Sequence, residues 1–375
     1  MSDRRTRHFA FADAPAHFKI RRKKGVELKE DFSQIIEAHF GRYPAMQPQD
    51  FGKLIFQSEF GAEHMLTDQK AAGGWLREEW RRLPDESAPA QAEAIGGGMC
   101  RFPISACKNE SEVNVLAELF ALTAKKRRGS LRAIPGKVEC VMKQEVHGMH
   151  AWMLDWKARG YPPVHHSDVY RNAYQPHYRL LQWAYAGAFP ALAAISALLE
   201  RKKPVRVGID GRCGSGKTHF AQLIATLFPC NVIHMDDFYL PLSLRKEGWM
   251  EQPGGNMDFA RLKTEILEPA DKGEAMRYRP YSCQTGEMAE AYAMPFRLLT
   301  VVEGSYSHHP LLHAQYDLKI FLTCSKEEQT ARIKKREGSY FTVFENQWMP
   351  LEECYLARYS IAADSALCID TSAFF

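Results

Sequence analysis

Apolar residues recur at helical spacing through the first half of the chain. The intervals of three and four residues between them are those of one face of an α-helix. Five such stripes follow one another: Phe32 to Phe40, Phe51 to Ile55, Trp75 to Leu83, Val113 to Phe120 and Val138 to Trp156. The segment from Pro84 to Gly98 is rich in Ala, Pro and Gly and is predicted to be a loop. Residues 26–187 are therefore predicted to form a mainly helical domain.

The second half of the chain changes to short apolar runs separated by helical or irregular stretches. These runs lie at 205–209, 231–235, 298–302, 318–322 and 366–370. Strands that alternate with helices predict a parallel sheet covered on both faces, so residues 188–375 are predicted to form an α/β domain. Ligands of such sheets bind beyond the carboxyl ends of the strands, which makes the residues at those ends candidates for function.

The composition is that of a globular protein and indicates the cellular compartment in which it is expected. A chain of 375 residues with 45% apolar and 25% charged residues is expected to form two domains. No apolar run reaches the roughly 18 residues of a membrane span, and the Arg-rich start lacks the apolar segment of a signal peptide. We therefore expect a cytoplasmic protein without membrane contact. The nine cysteines are an odd number without a C-x-x-C pair, which indicates neither a disulfide framework nor a zinc site.

The formal charge of +4 is concentrated in a basic arm, residues 1–25. Eight Lys and Arg side chains and two Asp give residues 1–24 a charge of +6, which leaves −2 on the rest of the chain. A body so close to neutrality is unsuited to holding duplex nucleic acid. The arm is expected to be a solvated terminus; its contact with RNA or an acidic partner stays open, and so does a homo-oligomer.

One motif lies between the first predicted strand of the second half and the helix after it. It fits the pattern G-x-x-x-x-G-K-[ST] of a phosphate-binding P-loop. Its residues are Gly211, Arg212, Cys213, Gly214, Ser215, Gly216, Lys217 and Thr218. The glycines let backbone N–H groups close on a phosphate chain, and the N-terminus of the helix adds partial positive charge. We expect Lys217 to reach the β and γ phosphates and Thr218 to bind Mg2+.

Acidic residues end two of the other predicted strands. Asp236 and Asp237 follow the second strand, where a carboxylate could face the phosphates and accept the proton of an attacking hydroxyl. Glu303 ends the third strand, directly before Gly304, at a place suited to orienting Mg2+ or its water. A predicted helix near residues 330–336 carries Arg332, Lys335 and Arg336 at i, i+3 and i+4, and one face of it could close as a lid over a transferring phosphoryl group.

Histidines in the helical region offer a weaker signal. His147 and His150 share a predicted helix face, and His165 and His166 follow a Pro-rich turn. Metal binding would need a third ligand from elsewhere in the chain. We expect these histidines to be exposed or hydrogen-bonded.

Residues 188–375 resemble the uridine kinase/phosphoribulokinase family of P-loop small-molecule kinases. The segments that carry the resemblance are GRCGSGKT (211–218), MDDFYLP (235–241), RPYSC (279–283), VVEGSY (301–306), YDLKIFL (316–322) and RIKKR (332–336). The resemblance implies transfer of a phosphoryl group from ATP, with Mg2+, to a hydroxyl. It places Asp236 on the catalytic base and Arg332, Lys335 and Arg336 on the lid. The residues expected to contact the acceptor are Asp237, Tyr239, Asp258 and Tyr281.

The sequence also departs from this family. Pyrimidine nucleoside kinases resemble one another as Y-D-F-x-x-H where this chain has Tyr281-Ser282-Cys283-Gln284-Thr285-Gly286, so the acid and the base-reading His are absent. The function expected is that of an ATP-dependent kinase acting on a nucleoside, a sugar or a related metabolite. The alternative is a nucleotide-gated regulatory or nucleic-acid-associated protein that uses the P-loop as an ATP switch.

Overall fold

The computed structural model describes residues 32–62, 69–84, 91–126 and 129–374. The basic arm predicted for residues 1–25 lies outside the described residues. Within the described ranges, no helix has both the length and the apolar character needed to cross a membrane.

Helices and a small antiparallel sheet make up the first half of the chain. The helices are α1 (Phe32–Arg42), α2 (Pro48–Phe60), α3 (Gln69–Arg81), α4 (Glu110–Lys126), α5 (Ile134–Val141), α6 (Met149–Ala158), α7 (Asp168–Tyr174) and α8 (Trp183–Leu199). The strands are β1 (Glu93–Gly96), β2 (Met99–Pro103) and β3 (Tyr178–Gln182), paired in the order β1-β2-β3.

The second half contains a larger sheet and further helices. Its sheet strands are β4 (Val205–Gly211), β5 (Cys230–His234), β10 (Leu299–Glu303), β11 (Leu318–Thr323) and β12 (Leu367–Asp370). Two small antiparallel pairs join β6 (Met276–Tyr278) to β9 (Tyr292–Met294) and β7 (Tyr281–Ser282) to β8 (Glu287–Met288). The helices are α9 (Lys217–Leu227), α10 (Phe259–Arg261), α11 (Glu268–Lys272), α12 (Lys326–Glu337), α13 (Phe341–Val343) and α14 (Met349–Arg358).

The large sheet is parallel throughout, with strand order β12-β11-β4-β10-β5. Strand β4 lies in the middle, between β10 and β11. Because parallel strands end at the same edge, Gly211, His234 and Glu303 come together beyond the sheet although the chain separates them widely. The α/β fold class expected from the sequence is confirmed, and this edge is where a ligand of such a sheet binds.

Successive side chains of a strand point to opposite faces of the sheet, and in the large sheet they pack into two different hydrophobic clusters. Val301 belongs to a cluster that includes Leu192 of α8 and Ile224 of α9. The next residue, Val302, belongs to a second cluster that includes Tyr355 of α14. Helices therefore cover the sheet on both faces, as the near-continuous apolar strands predict.

The structure corrects two expectations for the first half of the chain. The predicted loop at 84–98 contains strand β1, and the single helix predicted from Val138 to Trp156 is two helices, α5 and α6. All five residues of β2 are buried, but Arg101 and Pro103 interrupt it, so it shows neither an alternating pattern nor a continuous apolar run. Gly148, with a left-handed φ of 75°, precedes α6 and is incompatible with one continuous helix.

Helix α8 is longer than the sequence indicates. The apolar spacing predicts a short helix from Leu192 to Leu199, whereas α8 begins at Trp183 and contains Pro190. The domain boundary expected between residues 187 and 188 therefore falls inside this helix.

Candidate active site

The P-loop motif forms the turn between β4 and α9. Gly214 and Gly216 have left-handed φ angles of 75° and 90°, and α9 begins directly after Gly216, at Lys217. A Cβ atom on Gly211 would lie 2.0 Å from the carbonyl oxygen of Leu322 in the neighbouring strand β11. The glycines thus allow the backbone to pass close to β11 and to wrap around the N-terminus of α9, where backbone N–H groups and the helix dipole attract anions.

Lys217 and Thr218, the last two residues of the motif, point toward different parts of the sheet edge. The Lys217 ammonium donates to the carbonyl oxygens of Gly211 at 2.7 Å and Arg212 at 3.2 Å, and lies 3.4 Å from the Ser305 hydroxyl. The Thr218 hydroxyl donates to Oε1 of Glu303 at 3.0 Å. The lysine therefore spans the loop itself, while the threonine joins the loop to the end of β10.

Glu303 connects the P-loop to the acid pair that follows β5. Its side chain is only 4% exposed, and its Oε1 also accepts a hydrogen bond from Nδ1 of His234 at 2.5 Å. This bond with Glu303 raises the pKa of His234, and the nearby charges of Asp236 and Asp237 act in the same direction. A chain of contacts thus runs from Thr218 through Glu303 to His234 and on toward the two aspartates.

The two aspartates occupy different environments. The Asp236 side chain is exposed and lies beside the Tyr239 hydroxyl. Asp237 is half-buried and accepts a hydrogen bond from the Tyr278 hydroxyl at 3.0 Å. Burial raises the pKa of Asp237, because the charged carboxylate is partly removed from water. The pair therefore combines one exposed acid with one that is half-buried and hydrogen-bonded.

Two further residues predicted to contact the acceptor have clear local roles. The Asp258 carboxylate accepts from the backbone N–H of Arg261 at 3.1 Å and so caps the short helix α10. Tyr281 is 8% exposed, and its ring packs edge-on against that of Tyr239, with 6.3 Å between the centroids. Tyr281 thus packs against Tyr239, whereas the contacts of Asp258 are those of a capping residue.

Of the three basic residues predicted to form the lid, Lys335 is exposed, and Arg332 and Arg336 make different contacts. The Arg332 guanidinium donates to the carbonyl oxygens of Gly214 at 3.2 Å and Thr371 at 2.8 Å, which ties α12 to the outer side of the P-loop. Arg336 pairs with Glu337 at 2.5 Å and lies over the ring of Phe344. In this conformation Arg332 contacts the P-loop, whereas Arg336 contacts Glu337 and Phe344.

Helix α14 adds residues to the site that the sequence did not single out. Glu352 accepts a hydrogen bond from the backbone N–H of Cys213 at 2.8 Å, and Glu353 pairs with the Arg212 guanidinium at 2.5 and 3.0 Å. The hydroxyl of Ser305, two residues after Glu303, donates a hydrogen bond to the Glu352 carboxylate. The two glutamates follow the P-loop by about 140 residues in sequence and match no motif, so only the fold brings them there.

The histidines of the first half do not form a metal site in the part of the chain that the structure describes. His166 is buried, with Nδ1 bonded to Asp50 at 3.0 Å and Nε2 to Tyr178 at 2.7 Å. Burial, more than any other effect, lowers the pKa of His166 to about 4. This residue is therefore a neutral, hydrogen-bonded histidine.

The donor set of the P-loop edge fits a nucleotide polyphosphate with a divalent cation. The loop backbone, the N-terminus of α9 and Lys217 supply positive potential for phosphate oxygens. The Thr218 hydroxyl and the Glu303 carboxylate place two oxygen ligands within 3.0 Å of each other, and oxygen ligands are what Mg2+ prefers.

Comparison with known proteins gives distant structural likenesses only. No family model matches the chain, and no curated protein sequence matches it. A protein described as a possible uridine kinase from Bacillus stearothermophilus is 17% identical, with 47% of this chain and 97% of that chain covered and a TM-score of 0.37.

Two other solved structures show the same level of likeness. A protein from Silicibacter sp. TM1040 with the provisional name of a fructose transport system kinase is 18% identical, covering 47% of this chain and 97% of its own, with a TM-score of 0.38. Shikimate kinase from Bacteroides thetaiotaomicron is 14% identical, covering 44% and 85%, with a TM-score of 0.26. Likenesses this remote carry no argument about activity, which has to come from the site itself.

Proposed function

We propose that the protein is an ATP-dependent kinase that transfers a phosphoryl group to a hydroxyl of a small metabolite, such as a nucleoside or a sugar. One observation carries the proposal. Glu303 Oε1 accepts hydrogen bonds from Thr218 of the P-loop and from His234, which lies two residues before Asp236. A phosphate-binding loop and an acid pair therefore share one edge of the sheet, as phosphoryl transfer to a hydroxyl requires.

The residues of this edge divide the work of positioning and charge stabilisation. The P-loop backbone and Lys217 bind the phosphates and offset the negative charge that spreads over the transferring group. Thr218 and Glu303 would hold Mg2+, which would supply further positive charge for the phosphates. Arg332 stabilises the loop from outside through the Gly214 carbonyl and so acts as a positioning residue.

An aspartate accepts the proton of the attacking hydroxyl. We assign this role to Asp236, which is exposed at the end of β5 and is free to approach an acceptor. Asp237 is the second candidate, because burial raises its pKa and the Tyr278 hydroxyl orients it. Tyr239 and Tyr281 form the wall on which the acceptor packs.

The test is ATP-dependent product formation with a panel of nucleosides, sugars and RNA. Acceptors are first selected by thermal shift in the presence of a non-hydrolysable ATP analogue, since a true acceptor stabilises the folded protein. We expect Lys217→Ala and Asp236→Asn to abolish turnover, with ATP binding retained in Asp236→Asn. The exposed Lys263→Ala is the matched control for a lost lysine charge.

Two results would contradict the proposal or its base. Full turnover in Asp236→Asn together with loss of turnover in Asp237→Asn would move the base to Asp237. ATP hydrolysis stimulated by RNA and by no small molecule would instead favour the ATP-switch alternative.

A further inference from the structure

The carboxylate of Glu352 is bound to the P-loop itself. The side chain is 8% exposed, and its two oxygens accept from different donors: the backbone N–H of Cys213 at 2.8 Å and the Ser305 hydroxyl. Cys213 is the third residue of the phosphate-binding motif. Backbone N–H groups of this loop serve anions in P-loop proteins, so an internal anion here holds a donor of the phosphate cradle.

The same carboxylate is linked to the P-loop lysine. Ser305, which donates to Glu352, lies 3.4 Å from the Lys217 ammonium. Lys217 itself is turned onto the carbonyl oxygens of Gly211 and Arg212. The groups that would bind a phosphate chain are thus engaged with partners from within the protein.

The neighbouring residue on α14 reinforces this contact. Glu353 binds the Arg212 guanidinium through two hydrogen bonds, and a third guanidinium nitrogen of Arg212 donates to Thr323 at 2.9 Å. Two successive carboxylates of α14 therefore hold two successive residues of the loop.

A phosphate chain and the Glu352 carboxylate compete for the same place. Both are anions that draw on the backbone N–H groups of the loop, and the Cys213 N–H is already bonded to Glu352. Like charges that are close together in a partly buried site repel strongly enough to change an affinity by about tenfold or more. Nucleotide binding is therefore opposed unless Glu352 leaves the loop.

We propose that Glu352 is an internal anion that holds the P-loop until a nucleotide polyphosphate displaces it, and that it thereby sets the affinity of the site for ATP. The inference rests on the proposed function, because it takes ATP as the ligand of the loop. Displacement frees the Cys213 N–H, releases Ser305 and leaves α14 held to the loop through Glu353 alone of these two glutamates.

The experiment measures ATP and ADP binding by calorimetry to the full-length protein in three forms: wild type, Glu352→Gln and Glu345→Gln. Glutamine keeps an acceptor for the Cys213 N–H and removes only the charge. Glu345 is exposed on the segment before α14, so Glu345→Gln matches the change in net charge without touching the loop. We expect Glu352→Gln to bind ATP at least tenfold more tightly than wild type, and Glu345→Gln to bind within about twofold of it.

A second measurement needs no variant. Hydrogen exchange of the wild-type protein is compared with and without a non-hydrolysable ATP analogue. We expect the backbone amides of α14 to exchange faster with the analogue bound, because the contact between Glu352 and the loop is broken.

The outcomes separate this inference from the proposed function. If the wild type binds ATP, but Glu352→Gln binds no more tightly than Glu345→Gln and the exchange of α14 is unchanged or slower, Glu352 is a structural residue and the inference is wrong while the kinase proposal stands. If neither the wild type nor Glu352→Gln binds ATP, both are overturned.

Discussion

Gly211, where β4 ends and the P-loop begins, is the position at which a single methyl group tests the architecture most directly. A Cβ atom there would lie 2.0 Å from the Leu322 carbonyl oxygen, and the other nearest atoms are also backbone atoms of Leu322. The φ angle of Gly211 is 148°, which side chains rarely adopt. The substitution Gly211→Ala therefore meets a steric clash and backbone strain together.

The cost follows from what must move. Contacts of a Cβ below 3.0 Å are essentially not seen, so β4 and β11 would have to separate by about 1 Å at Leu322, which is the partner of Gly211 in the register of these two strands. Losing two backbone hydrogen bonds of the sheet would lower the free energy of unfolding by about 2 kcal/mol. A non-glycine residue in strained backbone would lower it by about 1–3 kcal/mol more, which gives about 3–5 kcal/mol in all. We expect Gly211→Ala to lower the thermal midpoint by several degrees and to abolish ATP binding.

The assay is thermal unfolding followed by circular dichroism, with ATP binding measured on the folded fraction. The control is Gly136→Ala, because Gly136 lies in helix α5 with no atom within 4 Å of an added Cβ. Alanine is favoured over glycine in a helix by up to about 1 kcal/mol, so this variant should be as stable as the wild type or more so. A Gly211→Ala protein with the thermal midpoint of the control and the ATP affinity of the wild type would contradict the predicted clash with Leu322.

Two further predictions concern the link from Thr218 through Glu303 to His234. Thr218→Ala removes the hydroxyl proposed to hold Mg2+, so the proposed kinase activity should need a several-fold higher Mg2+ concentration. Thr226→Ala, on the exposed side of the same helix, should leave the requirement unchanged, and equal Mg2+ curves for the two variants would contradict the assignment. The pKa of His234 is raised by its bond to Glu303, so this bond stabilises the fold fully below the unfolded pKa of about 6.5 and is lost as the pH rises through the higher folded value. The thermal midpoint of the wild type should therefore fall from about pH 6 to pH 8 more than that of His234→Gln, and parallel curves would refute this.

The sequence predicts those parts of the site whose signals are local. The P-loop is a contiguous motif between a strand and a helix, and the structure places it at the carboxyl edge of a parallel sheet. The apolar run at 231–235 predicts β5 to within one residue, and the run at 298–302 predicts β10 to within one residue. Strands with apolar residues on both faces are short and distinct, so their ends, and the acids at those ends, could be found without coordinates.

The contacts of α14 with the P-loop could not be predicted, because no motif in the sequence near α14 indicates them. Glu352 and Glu353 stand in an ordinary amphipathic helix, where acidic residues are expected at the surface. Their contacts with Cys213 and Arg212 depend on where the fold places α14 relative to β4. The antiparallel strands of the first half were missed for a related reason, since every residue of β2 is buried, including the Arg101 side chain at 2% exposure.

Helix α8 explains why the first half of the chain matters to the site. Its residues pack in one continuous core with side chains of both halves: Phe189 contacts the ring of Phe102 in β2 with 4.8 Å between the centroids, and Leu192 belongs to the same cluster as Val207 of β4. One face of the sheet that carries the P-loop is therefore covered in part by a helix whose other contacts are with the N-terminal region. Removing that region would expose apolar surface of α8 and loosen the support of β4, because burial of that surface stabilises both at once. The N-terminal region thus supports the geometry of the P-loop from the opposite side of the core, whatever chemistry it carries of its own.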